Sequence, residues 1–200
     1  MWRGERCLFR DLALQVHAAR ALHVRGPNGC GKTTLLRILC GLLTPDDGQL
    51  LVDGEHVRGA DPRLRSLVGY LGHADALKLE LGVAENLRFA AALTAAAPLP
   101  DTGATLARMG LSELAGLQTR HLSAGQRRRL AIGRLIGGGH RVWVLDEPFT
   151  ALDSAGGELL SELLEQALDA GVGVVFTSHL SSPLRAARLD VLDLSAAAAS

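Results

Sequence analysis

Lysine is scarce in this 200-residue chain: Lys32 and Lys78 are its only examples, and arginine supplies the remaining positive charge. Lys and Arg together number 21, as do Asp and Glu, so the formal net charge is zero. The balanced charge with no basic block argues against nucleic acid as the main partner, because binding a phosphate backbone relies on clustered cations. The run Arg127 to Arg129 is too short to change that. Long apolar runs are also missing. No stretch approaches the roughly 20 residues needed to cross a bilayer. The opening MWRGERC has no apolar signal core, so the expectation is a chain that stays in the cytosol. Cysteine is sparse as well. Cys7, Cys30 and Cys40 have neither the pairing of a disulfide framework nor metal-ligand spacing, and they read as free thiols. Cys30 reads either as an easily oxidised thiol or as an inert small filler.

What is present centres on GPNGCGKTT, Gly26 to Thr34. The pattern G-x-x-x-x-G-K-[ST] is met by Gly26, Gly31, Lys32 and Thr33, with Pro27, Asn28, Gly29 and Cys30 inside the loop and Thr34 after it. Glycines let successive N–H groups turn inward toward phosphate oxygens. The apolar segment Ala21 to Val24 predicts the strand feeding the loop. Thr33 to Leu43, with Leu35, Leu36, Ile38, Leu39 and Leu42 on one face, predicts the helix leaving it. That helix aims its positive end at the phosphates. Lys32 is expected to reach the β- and γ-phosphates of ATP, and the Thr33 hydroxyl to bind Mg²⁺. A glycine-rich turn can precede a helix without any ligand. Against this, one of only two ammonium groups sits where a compact point charge is wanted.

At 48% hydrophobic, the chain can bury one core with room for a small subdomain, and it is too short for two nucleotide-binding domains. The alternation from Cys7 to Val16 predicts an edge hairpin strand, turning at Ala18 to Arg20 into the next strand. Pro45 to Gly48 reads as a turn, and Leu50 to Val52, Asp53-Gly54 and His56 as a tight hairpin. Leu67 to Gly72 reads as another strand. Val83 to about Met109 is rich in Ala and Leu, broken by Pro98 and Pro100, and suggests a helical lobe outside the sheet. LSAGQ, Leu122 to Gln126, precedes a helical segment Arg127 to Ile136, which Ser123 could cap and Gly137 to Gly139 end. Val142 to Leu145 suits a strand buried on both faces, ending in Asp146 and Glu147 where α/β sheets bind ligands. Ser154 to Ala170 reads as an amphipathic helix. Val172 to Thr177 is a buried strand delivering Ser178 and His179 to the same edge, and Leu189 to Leu194 a last strand.

The loop, LSAGQ, the strand ending in Asp146-Glu147, Thr150 to Asp153 and His179 occur in a fixed order that resembles the ATP-binding subunits of ABC transporters over nearly the whole chain. The resemblance implies an α/β fold: a P-loop NTPase core with a mostly parallel sheet, an N-terminal antiparallel β-subdomain and an inserted helical subdomain. Residues 1–194 would form a single ABC ATPase domain, its helical part at about 75–125, with 195–200 a disordered tail. By the same resemblance Asp146 holds Mg²⁺ with Thr33, Glu147 polarises the attacking water, and His179 contacts the γ-phosphate. Ser123, Ala124, Gly125 and Gln126 would face the ATP of a second, head-to-tail copy, and Asp153 would link the two sites. The expected cofactors are ATP and Mg²⁺.

Three details narrow the resemblance: Ala124 in LSAGQ, the extension LDEPFTALD, and VGYLGHAD over Val68 to Asp75. In most of the family a glutamine ends that last strand and touches Mg²⁺ and the membrane subunit; here it is His73. Together these resemble the branch serving cytochrome c maturation. The implication is a peripheral protein on the cytoplasmic face of the inner membrane, with integral membrane partners, coupling ATP hydrolysis to haem export or to release of a haem-loaded chaperone. The alternatives are service to another ABC transporter, or a soluble ABC ATPase. Arg3 stands where many members place an adenine-stacking aromatic. Either its guanidinium plane stacks, or the adjacent Trp2 substitutes, or base contact is weak. The strand that usually opens the family is missing, as an upstream start would explain.

Overall fold

The computed structural model describes residues 1–59, 61–94, 101–179 and 184–197. The chain opens with a two-residue antiparallel ribbon, β1 (Trp2–Arg3) and β2 (Arg6–Cys7). This hairpin lies ahead of the expected one. Leu8 and Phe9 leave the strand path and bury themselves against the glycine loop, where a Cβ on Gly31 would meet them at 3.1 and 3.2 Å. The elements β3 (Ala21–Arg25) and α1 (Lys32–Leu39) flank that loop. Helix α1 stops short of the expected Leu43. Gly41, at φ +68°, donates to Ile38 O, and Leu42 N donates to Arg37 O, the paired bonds of a left-handed helix stop. Leu42, expected on the buried face, is thereby 62% exposed.

The hairpin β4 (Leu50–Val52) and β5 (Glu55–Val57) turns at Asp53 and Gly54, both with positive φ, as such a two-residue turn requires. A short helix not expected from the apolar pattern, α2 (Pro62–Leu67), follows. Asp61 caps it and Pro62 opens it, so the local signal was punctuation and not periodicity. Then come β6 (Val68–Leu71), α3 (Val83–Thr94), α4 (Thr102–Arg108), α5 (Ala124–Ile136), β7 (Val142–Leu145), α6 (Ser154–Asp169), β8 (Gly173–Thr177), β9 (Leu189–Asp193) and α7 (Leu194–Ala197). Pro98 and Pro100, expected to break the helical stretch, lie outside the described residues. The tail expected to be disordered from Ser195 begins in α7, where Leu194 is fully buried and anchors the turn; 198–200 lie outside the described residues.

Five strands form one parallel sheet in the order β6-β7-β8-β3-β9. Side chains of a strand alternate between faces, and this divides the core in two. Val144 and Val175 join Leu22, Val24 and the α1 residues Leu35 and Leu36 on one face. Trp143, Leu145, Val174 and Phe176 pack on the other against Leu130, Ile132, Leu160, Leu163 and Leu164 of α5 and α6. Each such buried side chain contributes roughly 1.5–3 kcal/mol. The packing holds the carboxyl ends of β3, β7 and β8 together at one edge.

Candidate functional site

Three chain segments converge at that edge. After β3 the chain turns through Gly26, Gly29 and Gly31 at φ of +141°, +78° and +108°, conformations that cost an L side chain and suit glycine. Space is as limiting as backbone: a Cβ on Gly26 would lie 2.6 Å from Cys30 Sγ. Cys30 is 4% exposed, so the filler reading is the one its packing supports. Lys32 Nζ folds back to donate to the carbonyls of Gly26 and Pro27 at 2.8 and 3.3 Å.

Thr33, the second residue of α1, donates its hydroxyl to Asp146 Oδ2 at 2.8 Å. Asp146, just past β7, is 3% exposed and also accepts from Thr177 Oγ1 at 2.9 Å. Thr177 in turn accepts from Glu147 N at 2.8 Å. Glu147 holds φ +49°, a costly conformation for this residue type, and is kept there from both sides because its carbonyl accepts from Arg128 at 2.8 Å. Among the described residues its buried Oε1 has no hydrogen-bond partner, and His179 Nε2 lies 3.3 Å from it, an ion pair when that ring is protonated.

A cleft of about 460 Å³ opens over these groups. Asn28, Gly29, Gly31, Lys32, Thr33 and Thr34 line one wall; Asp146, Glu147 and His179 face them, with His73 and Thr150 alongside. Arg3 also lines the cleft, whereas the Trp2 ring is covered by the Arg10 guanidinium at 5.1 Å. Of the two residues expected near a base, Arg3 is the one that faces the space. Ser123, Ala124, Gly125, Gln126 and Asp153 do not line it. Ser123 caps α5, which begins at Ala124, ahead of the expected Arg127. Its hydroxyl accepts from Gln126 N while the Gln126 side chain accepts from Ser123 N. Gly125 packs where a Cβ would meet Ala151 O at 3.2 Å, and Asp153 caps α6 by accepting from Gly156 N at 2.8 Å.

The oxygens of Thr33 and Asp146 could hold a hard divalent cation. Such an ion takes one or two protein oxygens and the remainder from phosphate and water. Among the described residues no group of three or more His, Cys, Asp or Glu could hold a metal ion.

Sequence reasoning missed three residues. In sequence Arg128 is the middle of a short basic run, Arg127 to Arg129. It is 3% exposed and donates to the carbonyls of Gly72, Pro148, Asp146 and Glu147, with an ion pair to Asp75 at 3.0 Å. The signal available was its place one helical turn before buried Ile132. Thr177 carried no signal beyond its position at a strand end. His23 stands at a buried strand position between Leu22 and Val24, a polar residue in an apolar run.

The arrangement is that of an ATP-binding cassette. The chain belongs to the ABC transporter family, whose pattern matches residues 9–150. Members of this family bind ATP and hydrolyse it. Within the family, the chain is similar to the cytochrome c biogenesis ATP-binding export protein CcmA of Nitrosococcus oceani, at 45% identity over 97% of this chain and 88% of that protein. It is also similar to the CcmA of Aromatoleum aromaticum, at 46% identity over 98% of this chain and 92% of the relative. Among solved structures, a dimeric ATP-binding cassette in a post-hydrolysis state bound to ADP and Pi shares the fold. There the TM-score is 0.80 at 24% identity, covering 90% of this chain and 84% of that one. Among the described residues no helix is long and apolar enough to cross a membrane.

Proposed function

We propose that this chain is the ATP-hydrolysing, energy-coupling subunit of a membrane complex in c-type cytochrome biogenesis, driving haem export or release of a haem-loaded chaperone. The observation that carries the chemistry is Glu147: a carboxylate oxygen beside the phosphate loop that has no hydrogen bond among the described residues and lies 3.3 Å from His179 Nε2. An acceptor in that position orients a water for in-line attack on a terminal phosphoryl group, where positioning and charge neutralisation contribute most. The biogenesis assignment draws on the likeness to the CcmA relatives.

In this reading the loop N–H groups cradle the phosphates, and Lys32 leaves the carbonyls of Gly26 and Pro27 for the β- and γ-phosphates. Thr33 and Asp146 hold Mg²⁺, which when bound neutralises developing phosphate charge. His73 stands beside them. With Mg²⁺ bound, His73 would be the third side chain beside it, lining the same cleft as Thr33 and Asp146. His179 aligns Glu147 with the γ-phosphate. Ser123, Ala124, Gly125, Gln126 and Asp153, which lie outside the cleft of their own copy, meet the nucleotide of a second copy in a head-to-tail pair. The helical part at about 75–125 meets integral membrane subunits at the cytoplasmic face of the inner membrane. Leu79, Phe89, Leu93 and Leu117 remain 40–69% exposed there.

The test is ATP hydrolysis by membranes holding the protein with its membrane partners, wild type against Glu147→Gln, with c-type cytochromes scored in the same cells. Loss of both is expected. Loss of hydrolysis with intact cytochrome formation would assign the motor to another transporter.

A further inference from the structure

Strands β3 and β8 lie side by side, and both feed the site: β3 runs into the phosphate loop, and β8 ends two residues before His179. At their shared register His23 faces Phe176. The two rings stack with centroids 4.5 Å apart and planes inclined by 16°. His23 is fully buried and does not line the cleft. A buried ring nitrogen needs a partner, and both nitrogens have one. The Arg25 Nε–H can only donate, and it lies 3.2 Å from Nδ1, so Nδ1 is the acceptor and bears no hydrogen. The neutral ring therefore carries its hydrogen on Nε2, which donates to the Ser178 carbonyl at 3.2 Å. Burial above all, and then the Arg25 charge, push the ring below the ordinary imidazole range, against the opposing pull of the Ser178 carbonyl.

The accepting carbonyl belongs to the peptide unit joining Ser178 to His179, which is planar and rigid. Orienting that C=O orients the His179 N–H and the direction in which the His179 Cα leaves the strand. One residue earlier, Thr177 Oγ1 is tied to Asp146 and to Glu147 N. The strand end is thus held toward β7 by Thr177 and toward β3 by His23. We infer that His23 is a positioning residue for hydrolysis: through the Ser178 carbonyl it sets the peptide that aims His179 at Glu147. This rests on the roles proposed above for His179 and Glu147.

The experiment compares ATP turnover by the full chain in its membrane complex for wild type, His23→Leu, His23→Gln, His179→Ala and the double variant His23→Leu/His179→Ala. Leucine fills the space and removes the donor. The expected result is a fall in kcat of about tenfold with KM for ATP changed by less than about twofold, since the loss falls on the reacting geometry and not on phosphate binding. Glutamine returns an amide donor near the Nε2 position and should restore kcat to within about threefold of wild type. In the His179→Ala background, His23→Leu should have no further effect, as residues acting through one another are not additive. An unchanged kcat in His23→Leu, or losses that add in the double variant, overturns the positioning role. Unchanged turnover in His179→Ala sinks the underlying site reading itself, and this inference with it. Should His23→Leu fail to fold, nitrogen NMR of the wild-type ring decides: hydrogen on Nε2 alone is expected, and hydrogen on Nδ1 overturns the inference.

Discussion

At the scale of single residues, the site is a set of positions where one side chain fits and its nearest substitute does not. Gly26 is the sharpest case: a methyl group there meets both an unfavourable backbone, at φ +141°, and Cys30 Sγ at 2.6 Å. Strain of this kind costs about 1–3 kcal/mol. Gly26→Ala should therefore weaken ATP binding by roughly tenfold or more, read by calorimetry, since about 1.4 kcal/mol is a factor of ten. Adding Cys30→Ala should recover part of that loss, because it removes the clash and leaves the backbone cost. Two buried histidines give the fold a pH response. Burial first, then Arg25, holds His23 below the ordinary imidazole range. Burial does the same for His140, offset by its hydrogen bond to the Ser66 carbonyl. A folded pKa below the unfolded one means that the unfolded chain takes up the proton first. The stabilisation is complete above about pH 6.5 and is lost as pH falls from there toward the folded values. Thermal unfolding midpoints measured from pH 7.5 down to 5.5 should decline below about 6.5, and His140→Gln should make that decline shallower.

At the scale of elements, α5 is the piece that turns sequence punctuation into site geometry. Its start is legible in LSAGQ, because Ser123 and Gln126 satisfy each other's backbone N–H groups within three residues. Ser123→Ala should cost about 1 kcal/mol, which in a chain of this size lowers the unfolding midpoint by about 2–4 °C. One turn further on, Arg128 reaches across to four carbonyls and Asp75, joining the segment after β6 to the segment after β7. Arg128→Leu removes the donor shared by those carbonyls and the cation facing the half-buried Asp75. Breaking a buried ionic contact by removing one partner costs about 3–5 kcal/mol, so the midpoint should fall by about 10 °C or more in differential scanning calorimetry. A drop no larger than that of Ser123→Ala would show that the network contributes little. Nothing in RRR distinguishes its middle member from the other two except helical phase. That phase shows in the apolar residues around it, Leu130 and Ile132, and places Arg128 on their buried side. The end of α1 departs from the apolar pattern for a related reason: the leucines continue past Gly41, but the left-handed backbone at that glycine turns the next one, Leu42, out to solvent.

At the scale of the whole molecule, the cleft holds the loop, Asp146, Glu147 and His179 of one copy but none of Ser123 to Gln126. The proposed function completes it with a second copy. Under that reading, ATP added to the Glu147→Gln variant should double the mass seen by light scattering, and Ser123→Arg should prevent the doubling. A species that stays at the mass of one chain in both cases would remove the head-to-tail pair from the mechanism. The sequence alone determined those features whose cause lies within a few residues: the glycine loop, the Asp53-Gly54 turn, the cap of α5, the amphipathic α6 and the apolar β7 with two carboxylates at its end. Each is set by local dihedral preference or by periodicity, and each is readable in a short window. Tertiary structure alone decided which of these groups meet. Thr33 and Asp146 are 113 positions apart, His23 and Ser178 155 apart, and they touch because β3 lies beside β8 and β8 beside β7 in a parallel sheet. That order is chosen by burying both faces of the sheet at once, a sum over the whole chain that no short stretch of sequence contains.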